Sequence, residues 1–320
     1  MGDGDRQISL SLLGEEDKIL LDRLREFGDA WIVGGWVRDK LSGLPSDRIA
    51  DIDLATNLRP NEVKKIFPRS LMVGEKFGTV IVRLDDSDSY DYQCEVTTLR
   101  EDGGYSDGRR PENVSFGKEI KIDLSRRDFT INAMAIEPCG KLTGNDEPRG
   151  KLLDYHRGEE DLSSGLLRAV GDAEKRLGED GLRVIRAFRF MEGGINGVRD
   201  LDAELSIAIS SNLEMLDKVS KERIWDEFRK ILSGRHSSEI VGMMHNHGVF
   251  DKILPGLSVN LEAIHSNGHL VNLALLFSSE TLDESQLSER LAENLRLSRK
   301  ELSAICLLHG LRNVELDGSI

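Results

Sequence analysis

Trp31-Ile32-Val33-Gly34-Gly35-Trp36-Val37-Arg38-Asp39, followed by Asp51-Ile52-Asp53-Leu54-Ala55, is the stretch on which the reading of this chain turns. Trp31-Ile32-Val33 is a short apolar run of strand type, and it breaks into a glycine pair that marks a tight turn. Val37 to Leu41 starts a helix, and Arg48 to Ala55 is expected to return as a strand. Residues two apart on a strand share a face. Asp51 and Asp53 would therefore stand side by side within the apolar positions Ile49, Ile52 and Leu54. A divalent cation could bridge two such carboxylates, and a triphosphate held by the glycine turn and Arg38 would lie within its reach. Each piece alone has an ordinary reading, a turn and a solvated strand end. In this order, separated by the helix-length segment from Trp36 to Leu44, they point to phosphoryl or nucleotidyl transfer.

Outward from this stretch, residues 17–28 read as a helix ending near Gly28, and Pro60 to Phe67 as a helix opened by proline. Thr79 to Leu84 and Tyr90 to Leu99 read as paired strands around the turn Asp85-Asp86-Ser87-Asp88. The glycines and polar residues from Arg100 to Val114 predict a mobile loop. From about Leu162 onward the pattern is helical, with breaks at Gly193-Gly194, Ser233-Gly234 and Pro255-Gly256. The expected class is α+β: a small mixed-sheet head over residues 1–145, then an all-helical neck (146–255) and body (256–320). No internal repeat or low-complexity tract is visible.

With 320 residues, 39% of them hydrophobic, the chain can bury a substantial core. No apolar run approaches a bilayer span, so no integral membrane protein is expected. The start, MGDGDRQISL, lacks the basic and apolar regions of a secretory signal. Cys94, Cys139 and Cys306 are few and scattered, which suits a reducing cytoplasm and argues against a disulfide framework or a cysteine zinc site. The net charge of −14 argues against indiscriminate nucleic-acid binding. One local basic stripe stands out: Arg168, Lys175, Arg176, Arg183, Arg186, Arg189 and Arg199. It reads equally as an RNA-facing surface or as a solvated helix face. His245 and His247, and His265 and His269, lack the glutamate of a zinc hydrolase, and structural or solvent-exposed roles are expected for all four.

Two further clusters carry chemistry. In Arg126-Arg127-Asp128-Phe129-Thr130-Ile131-Asn132, paired arginines can grip phosphate oxygens, and Asp, Thr and Asn can bond ribose hydroxyls. The same residues also make an ordinary charged helix start. Glu95, alternating with apolar residues, is either a third carboxylate near a metal or an arginine partner. In Glu179-Asp180-Gly181-Leu182-Arg183-Val184-Ile185-Arg186-Ala187-Phe188-Arg189, Asp180 and Arg183 would be neighbours on a helix, with Arg186 and Arg189 continuing the row. That is an intrahelical salt bridge with extra arginines, or a device that reads a base edge. Cytosine and adenine pair an acceptor with an exocyclic donor, and uracil and guanine reverse that polarity. One Arg and one Asp can therefore accept C and A while leaving U and G with unpaired groups.

Together the three motifs resemble the bacterial-type tRNA nucleotidyltransferase and poly(A) polymerase family, and within it the class II CCA-adding enzymes, over about Trp31 to Leu257. The resemblance implies that Asp51 and Asp53 are catalytic and hold two Mg²⁺ ions, while Gly34, Gly35 and Arg38 clamp the triphosphate. It implies that Arg126, Arg127 and Asp128 read the ribose, and that Glu179, Asp180 and Arg183 form a protein template for C and A. Lys221-Glu222-Arg223-Ile224-Trp225-Asp226-Glu227 resembles the motif that braces the template helix. The implied activity adds C, C and A to the 3′ end of tRNA from CTP and ATP, with tRNA bound at its 3′ end and acceptor/elbow region. An A-adding-only enzyme, a poly(A) polymerase and a catalytically inactive RNA-binding relative are the alternatives. Val73-Gly74-Glu75-Lys76-Phe77-Gly78-Thr79-Val80 is similar to the CCA-adding version, and the Arg100–Val114 loop is one that a CC-only enzyme would lack. Two departures stand out: the stretch from Gly43 to Asp51 is longer than the family's usual turn, and Trp36 replaces a small residue. The helical tail is expected to be reduced at Ile320.

Overall fold

The computed structural model describes residues 6–73, 78–84, 92–105, 111–194, 197–265 and 268–313. The chain divides into two compact units, the first built mainly from residues up to Ser164 with Arg168–Asp172, the second from Gly165–Leu167 and Ala173–Ile320. In chain order the first unit holds β1 (Gln7–Ser9), α1 (Glu15–Arg25), β2 (Ala30–Val33), α2 (Gly35–Leu41), β3 (Asp53–Thr56), α3 (Pro60–Ile66), β4 (Leu71–Met72), β5 (Thr79–Val82), β6 (Cys94–Thr98), β7 (Arg100–Tyr105), β8 (Pro111–Phe116), α4 (Ile120–Ser125), β9 (Met134–Cys139), β10 (Arg149–Asp154) and α5 (Gly158–Ser164). Eight of these strands form one mixed sheet in the order β1-β10-β9-β2-β3-β6-β5-β4, while β7 and β8 pair separately.

Burial explains the layout. All four residues of β2 are buried, so it takes a central place between β9 and β3. Trp31 and Val33, two apart, share one face with Ala55 and Ala135, and α4 covers that face with Ile120 and Leu124. β3 runs antiparallel to β2 and parallel to β6, which aligns Asp53 with Val33 on one side and with Glu95 on the other. The sheet continues through β10, and the unit through α5, so the head runs past the expected limit at residue 145. β9 needs β10 as a partner for its backbone, and the polar sequence after Cys139 conceals that strand.

Two expectations are corrected here. The strand expected from Arg48 begins only at Asp53, because Ser46–Arg48 forms a 3₁₀ turn and residues 49–52 are irregular. Arg100 to Val114, expected as a mobile loop, supplies most of an antiparallel ribbon, with Arg100 opposite Phe116 and Glu101 opposite Ser115. The turn at Asp85–Asp88 and residues 74–77 lie outside the described residues.

In the second unit the helices are α6 (Ala173–Glu179), α7 (Leu182–Met191), α8 (Ala203–Ser211), α9 (Lys221–Leu232), α10 (Ser237–Asn246), α11 (Val249–Ile253), α12 (His269–Leu276), α13 (Glu284–Leu295) and α14 (Arg299–Gly310). Small strand pairs, Leu166–Leu167 with Asp200–Leu201 and Glu192–Gly194 with Gly197–Val198, qualify the expected all-helical remainder. α7 and α9 pack together, and α12 and α13 pack on α9. Trp225 of α9 donates its indole N–H to Glu301 of α14 (3.1 Å), so the expected neck and body form one unit here. Among the described residues no helix is long and apolar enough to cross a membrane.

Candidate active site

The first site is built where β2 ends. Gly34 has φ 71° and ψ −132°, a conformation that a side-chain residue adopts only under strain. It also has company: a Cβ placed there would lie 3.5 Å from Asp53 Oδ2 and 3.5 Å from Arg127 Nη1. The glycine turn thus runs between a carboxylate and a guanidinium. Asp53 keeps solvent access as a residue, yet its carboxyl is crowded on the Gly34 side. Burial, the neighbouring Glu95 and Asp51 charges push its pKa up to about 6, against the pull of Arg127. Asp53 stands in register with Glu95 across β3 and β6, and the cost of ionising it beside the Glu95 and Asp51 charges is what a bound cation would relieve. Among the described residues no three His, Cys, Asp or Glu side chains form a metal cage. Two carboxylates with open positions suit Mg²⁺, which keeps waters and substrate oxygens as its remaining ligands.

Arg38 and the second motif converge on this turn. Arg38 donates through Nη1 to Asn132 Oδ1 (2.8 Å) and through Nε to Asp39 Oδ1 (2.8 Å). Asn132 in turn donates to Asp128 Oδ1 (3.3 Å), and its carbonyl accepts from Arg127 (3.3 Å). The two arginines are not equivalent. Arg126 is paired closely with Asp123 (2.5 Å), whereas Arg127 reaches that carboxylate at 3.4 Å and stands nearer the turn. Burial opposes ionisation of Asp123, but Arg126 and Arg127 prevail and hold it below its ordinary value. Asp128 is buried and accepts from the Phe129 amide (2.9 Å). Asp123 and Asp39 were missed by sequence reasoning. The spacing from Asp123 to the arginine pair, three and four residues on a helix, is the signal that could have found the first.

The second set of residues lies in the second unit. Asp180 and Arg183 are not consecutive positions of one helix, because α6 ends at Glu179 and α7 begins at Leu182. At that junction Gly181, with helical backbone angles (φ −57°, ψ −23°), makes room for a neighbour: a Cβ there would come 2.2 Å from the Met215 carbonyl oxygen. Asp180 accepts from the Leu182 amide (3.0 Å) and pairs with Arg223 of α9 (2.9 Å). Arg183 pairs instead with Glu179 (2.6 Å), which also holds Arg176 (2.8 Å). Arg186 and Arg189 both face Glu227 of α9, at 3.8 and 2.5 Å, and both lie over the Phe190 ring. Glu227 was quoted in the sequence only as part of a bracing motif. Its place among Ile224, Trp225, Phe228 and Ile231 marks it as a buried acid that must have partners.

Arg199, counted in the basic stripe, is buried and donates to the carbonyls of Phe190, Glu192 and Gly193. It caps the end of α7 and is no surface cation. Of the histidines, His247 packs edge-on against Phe188, and His269 lies beside Trp225.

Against this geometry the chain matches two family models, the poly A polymerase head domain over residues 30–168 and the probable RNA and SrmB-binding site of polymerase A over residues 200–261. It is 41% identical to the CCA-adding enzyme of Bacillus velezensis over 242 residues, 75% of this chain and 55% of that one. With the Geobacillus thermodenitrificans CCA-adding enzyme it shares 40% over 234 residues, 72% of this chain and 52% of the relative. The chain thus spans about half the length of the curated relatives it matches. Among solved structures, the Bacillus stearothermophilus CCA-adding enzyme in complex with CTP aligns with a TM-score of 0.73 at 28% identity, covering 96% of this chain and 71% of that one. The Thermotoga maritima CCA-adding enzyme complexed with tRNA shares the fold, with a TM-score of 0.67 at 20% identity over 95% of this chain and 73% of that one. The chain thus carries the head domain (residues 30–168) and the RNA-binding segment (residues 200–261) of the bacterial-type tRNA nucleotidyltransferase and poly(A) polymerase family.

Proposed function

We propose that this protein adds C, C and A to the 3′ end of tRNA, using CTP and ATP. The observation that carries the reading is the turn at Gly34, set between Asp53 and Arg127 in a head whose relatives are CCA-adding enzymes. Asp51 and Asp53 would hold Mg²⁺, with Glu95 beside them as a further carboxylate. When bound, the metal lowers the pKa of the attacking 3′-hydroxyl and offsets the charge of the triphosphate. The chain's own residues bind and orient: Arg38 and Arg127, with the Gly34-Gly35 backbone, hold phosphate oxygens, and Arg126 and Asp128 keep the motif rigid. Asp180 and Arg183 select the base, each held by its own partner, Arg223 and Glu179. Holding the donor and the acceptor in place before a nucleotide arrives lowers the ordering cost at binding. The free cysteines fit a cytoplasmic setting.

The test is transfer of labelled CTP and ATP to tRNA lacking its 3′ end. Both nucleotides should be incorporated, and Asp53→Ala should abolish both while leaving tRNA binding largely intact. ATP incorporation alone would identify an A-adding enzyme, and incorporation of neither by folded protein with Mg²⁺ would end the enzyme reading. Asp180→Ala should relax selection against UTP and GTP more than it slows CTP transfer. Unchanged selectivity would remove Asp180 from the template.

A further inference from the structure

Asp39 closes the opening motif, and its carboxylate is shared between two tasks. The side chain is 11% exposed. Oδ1 accepts from Arg38 Nε at 2.8 Å and faces Arg38 Nη2 at 2.7 Å, while Oδ2 accepts from the backbone N–H of Ala50 at 3.1 Å. Ala50 directly precedes Asp51. The segment from Gly43 to Ile52 has one 3₁₀ turn of regular structure, Ser46–Arg48, and both Ala50 and Asp51 are exposed. Exposed irregular backbone keeps one conformation only where specific contacts hold it. At Ala50 the contacts are the Asp39 carboxylate and the turn itself, for a Cβ at Gly35 would sit 3.1 Å from Ala50 Cβ; to either side, the Leu44 N–H reaches the Asp39 carbonyl (3.3 Å) and the Cys94 thiol the Ile52 carbonyl (3.5 Å). The long approach to Asp51 is therefore fastened to the glycine turn at its last residue.

We propose that Asp39 is a positioning residue that sets the Asp51 segment and the Arg38 guanidinium in register, so that divalent-cation binding and triphosphate binding depend on one buried carboxylate. It acts through Ala50 and Arg38. The proposal rests on the nucleotidyltransferase reading above.

Three variants of the full chain separate the two tasks, with Mn²⁺ alone as the metal probe, followed by the loss of its free-ion electron paramagnetic resonance signal, and KM for CTP at saturating Mg²⁺ as the second readout. Asp39→Asn keeps a carbonyl oxygen for the Ala50 amide but gives up the charge opposite Arg38. It should bind Mn²⁺ within about threefold of the parent while KM rises about tenfold. Asp39→Ala loses both contacts, and its Mn²⁺ affinity should fall about tenfold as well. Ala50→Pro removes the amide donor and leaves the Asp39–Arg38 pair alone. Ile49, at φ −74° and ψ 135°, already has the extended backbone that a following proline requires. This variant should weaken Mn²⁺ about tenfold with KM close to the parent value. Parental Mn²⁺ affinity in Ala50→Pro, or equal losses in both readouts for Asp39→Asn and Ala50→Pro, would overturn the proposal. The Asn and Pro variants decide the matter even where Asp39→Ala fails to fold. A parent chain that neither binds Mn²⁺ nor transfers CTP would defeat the nucleotidyltransferase reading itself; an active parent with unaffected variants would defeat only the role of Asp39.

Discussion

Replacing Glu227 by alanine should unfasten α7 from α9, and the cost can be worked from the contacts. The Glu227 side chain is 7% exposed and faces Arg189 at 2.5 Å, Lys230 at 3.2 Å and Arg186 at 3.8 Å. Losing one partner of a buried pair costs about 3–5 kcal/mol, because the remaining charge is left uncompensated. Here Arg186 and Arg189 are 29% and 24% exposed and can turn toward water, and Lys230 is 49% exposed, so solvent recovers part of the loss. About 2–3 kcal/mol remains. For a unit of this size that is a fall in Tm of roughly 5–10 °C. Glu227→Gln keeps the shape and the acceptor oxygen, and should lose about half as much. The assay is thermal unfolding followed by circular dichroism at 222 nm at pH 7.5, with the second unit's transition compared among the parent and the two variants. A Tm within about 2 °C of the parent for Glu227→Ala would refute the reasoning, since it would mean the ion cluster adds nothing to the α7–α9 contact.

Further outcomes follow from the same geometry. Asp53 has its folded pKa raised to about 6 from an ordinary 3.8, so the stability it contributes is complete below pH 3.8 and lost as pH rises through 6. Without divalent metal, Asp53→Asn should therefore be more stable than the parent at pH 8 by about 1 kcal/mol, the full shift being discounted for solvent screening, and equal to it near pH 4. Chemical denaturation at the two pH values checks this; a variant equally stable or weaker at pH 8 would mean that Asp53 ionises freely. Gly181→Ala drives a methyl into the Met215 carbonyl oxygen and should cost about 3 kcal/mol, whereas Gly178→Ala, 3.6 Å from Asn212 Oδ1 at the end of α6, should stabilise by up to about 1 kcal/mol. Denaturant midpoints that rank these two glycines in the opposite order would refute the packing account.

The sequence was legible where a single element carried the signal. The apolar run at β2, the turn at Gly34 and the helix after it are local features, and the structure places them as read. The strand expected from Arg48 misleads for a definable reason. Ile49 and Ile52 are three apart, a spacing foreign to a strand, and Asp51 belongs to irregular backbone that is held at Ala50 by Asp39, eleven residues before Ala50. The ribbon of β7 and β8 is concealed by its composition: Arg-Glu-Asp-Gly-Gly-Tyr opposite Pro-Glu-Asn-Val-Ser-Phe has little strand propensity, and pairing alone makes it regular. Arg199 shows the converse. Its charge suggested a surface, but three carbonyl acceptors at the end of α7 repay its burial.

The Asp180 and Arg183 pair shows most clearly why motif spacing underdetermines a site. Spacing alone suggests that the two are bonded to each other, which would leave each half satisfied before any base arrived. The structure places them at the junction between α6 and α7 and gives each a different partner, Arg223 from α9 for Asp180 and Glu179 from α6 for Arg183. An acid and a base that neutralise each other present a closed face, whereas an acid and a base held by outside partners each keep a further lone pair or N–H in a fixed direction. The same economy recurs nearby, where Glu227 serves Arg186, Arg189 and Lys230 together, so that the guanidinium groups along one flank of α7 are positioned by carboxylates fewer than themselves. In a chain of net charge −14 the arginines along α6 and α7 are thus held by a few shared acids, Glu179 for Arg176 and Arg183 and Glu227 for Arg186 and Arg189.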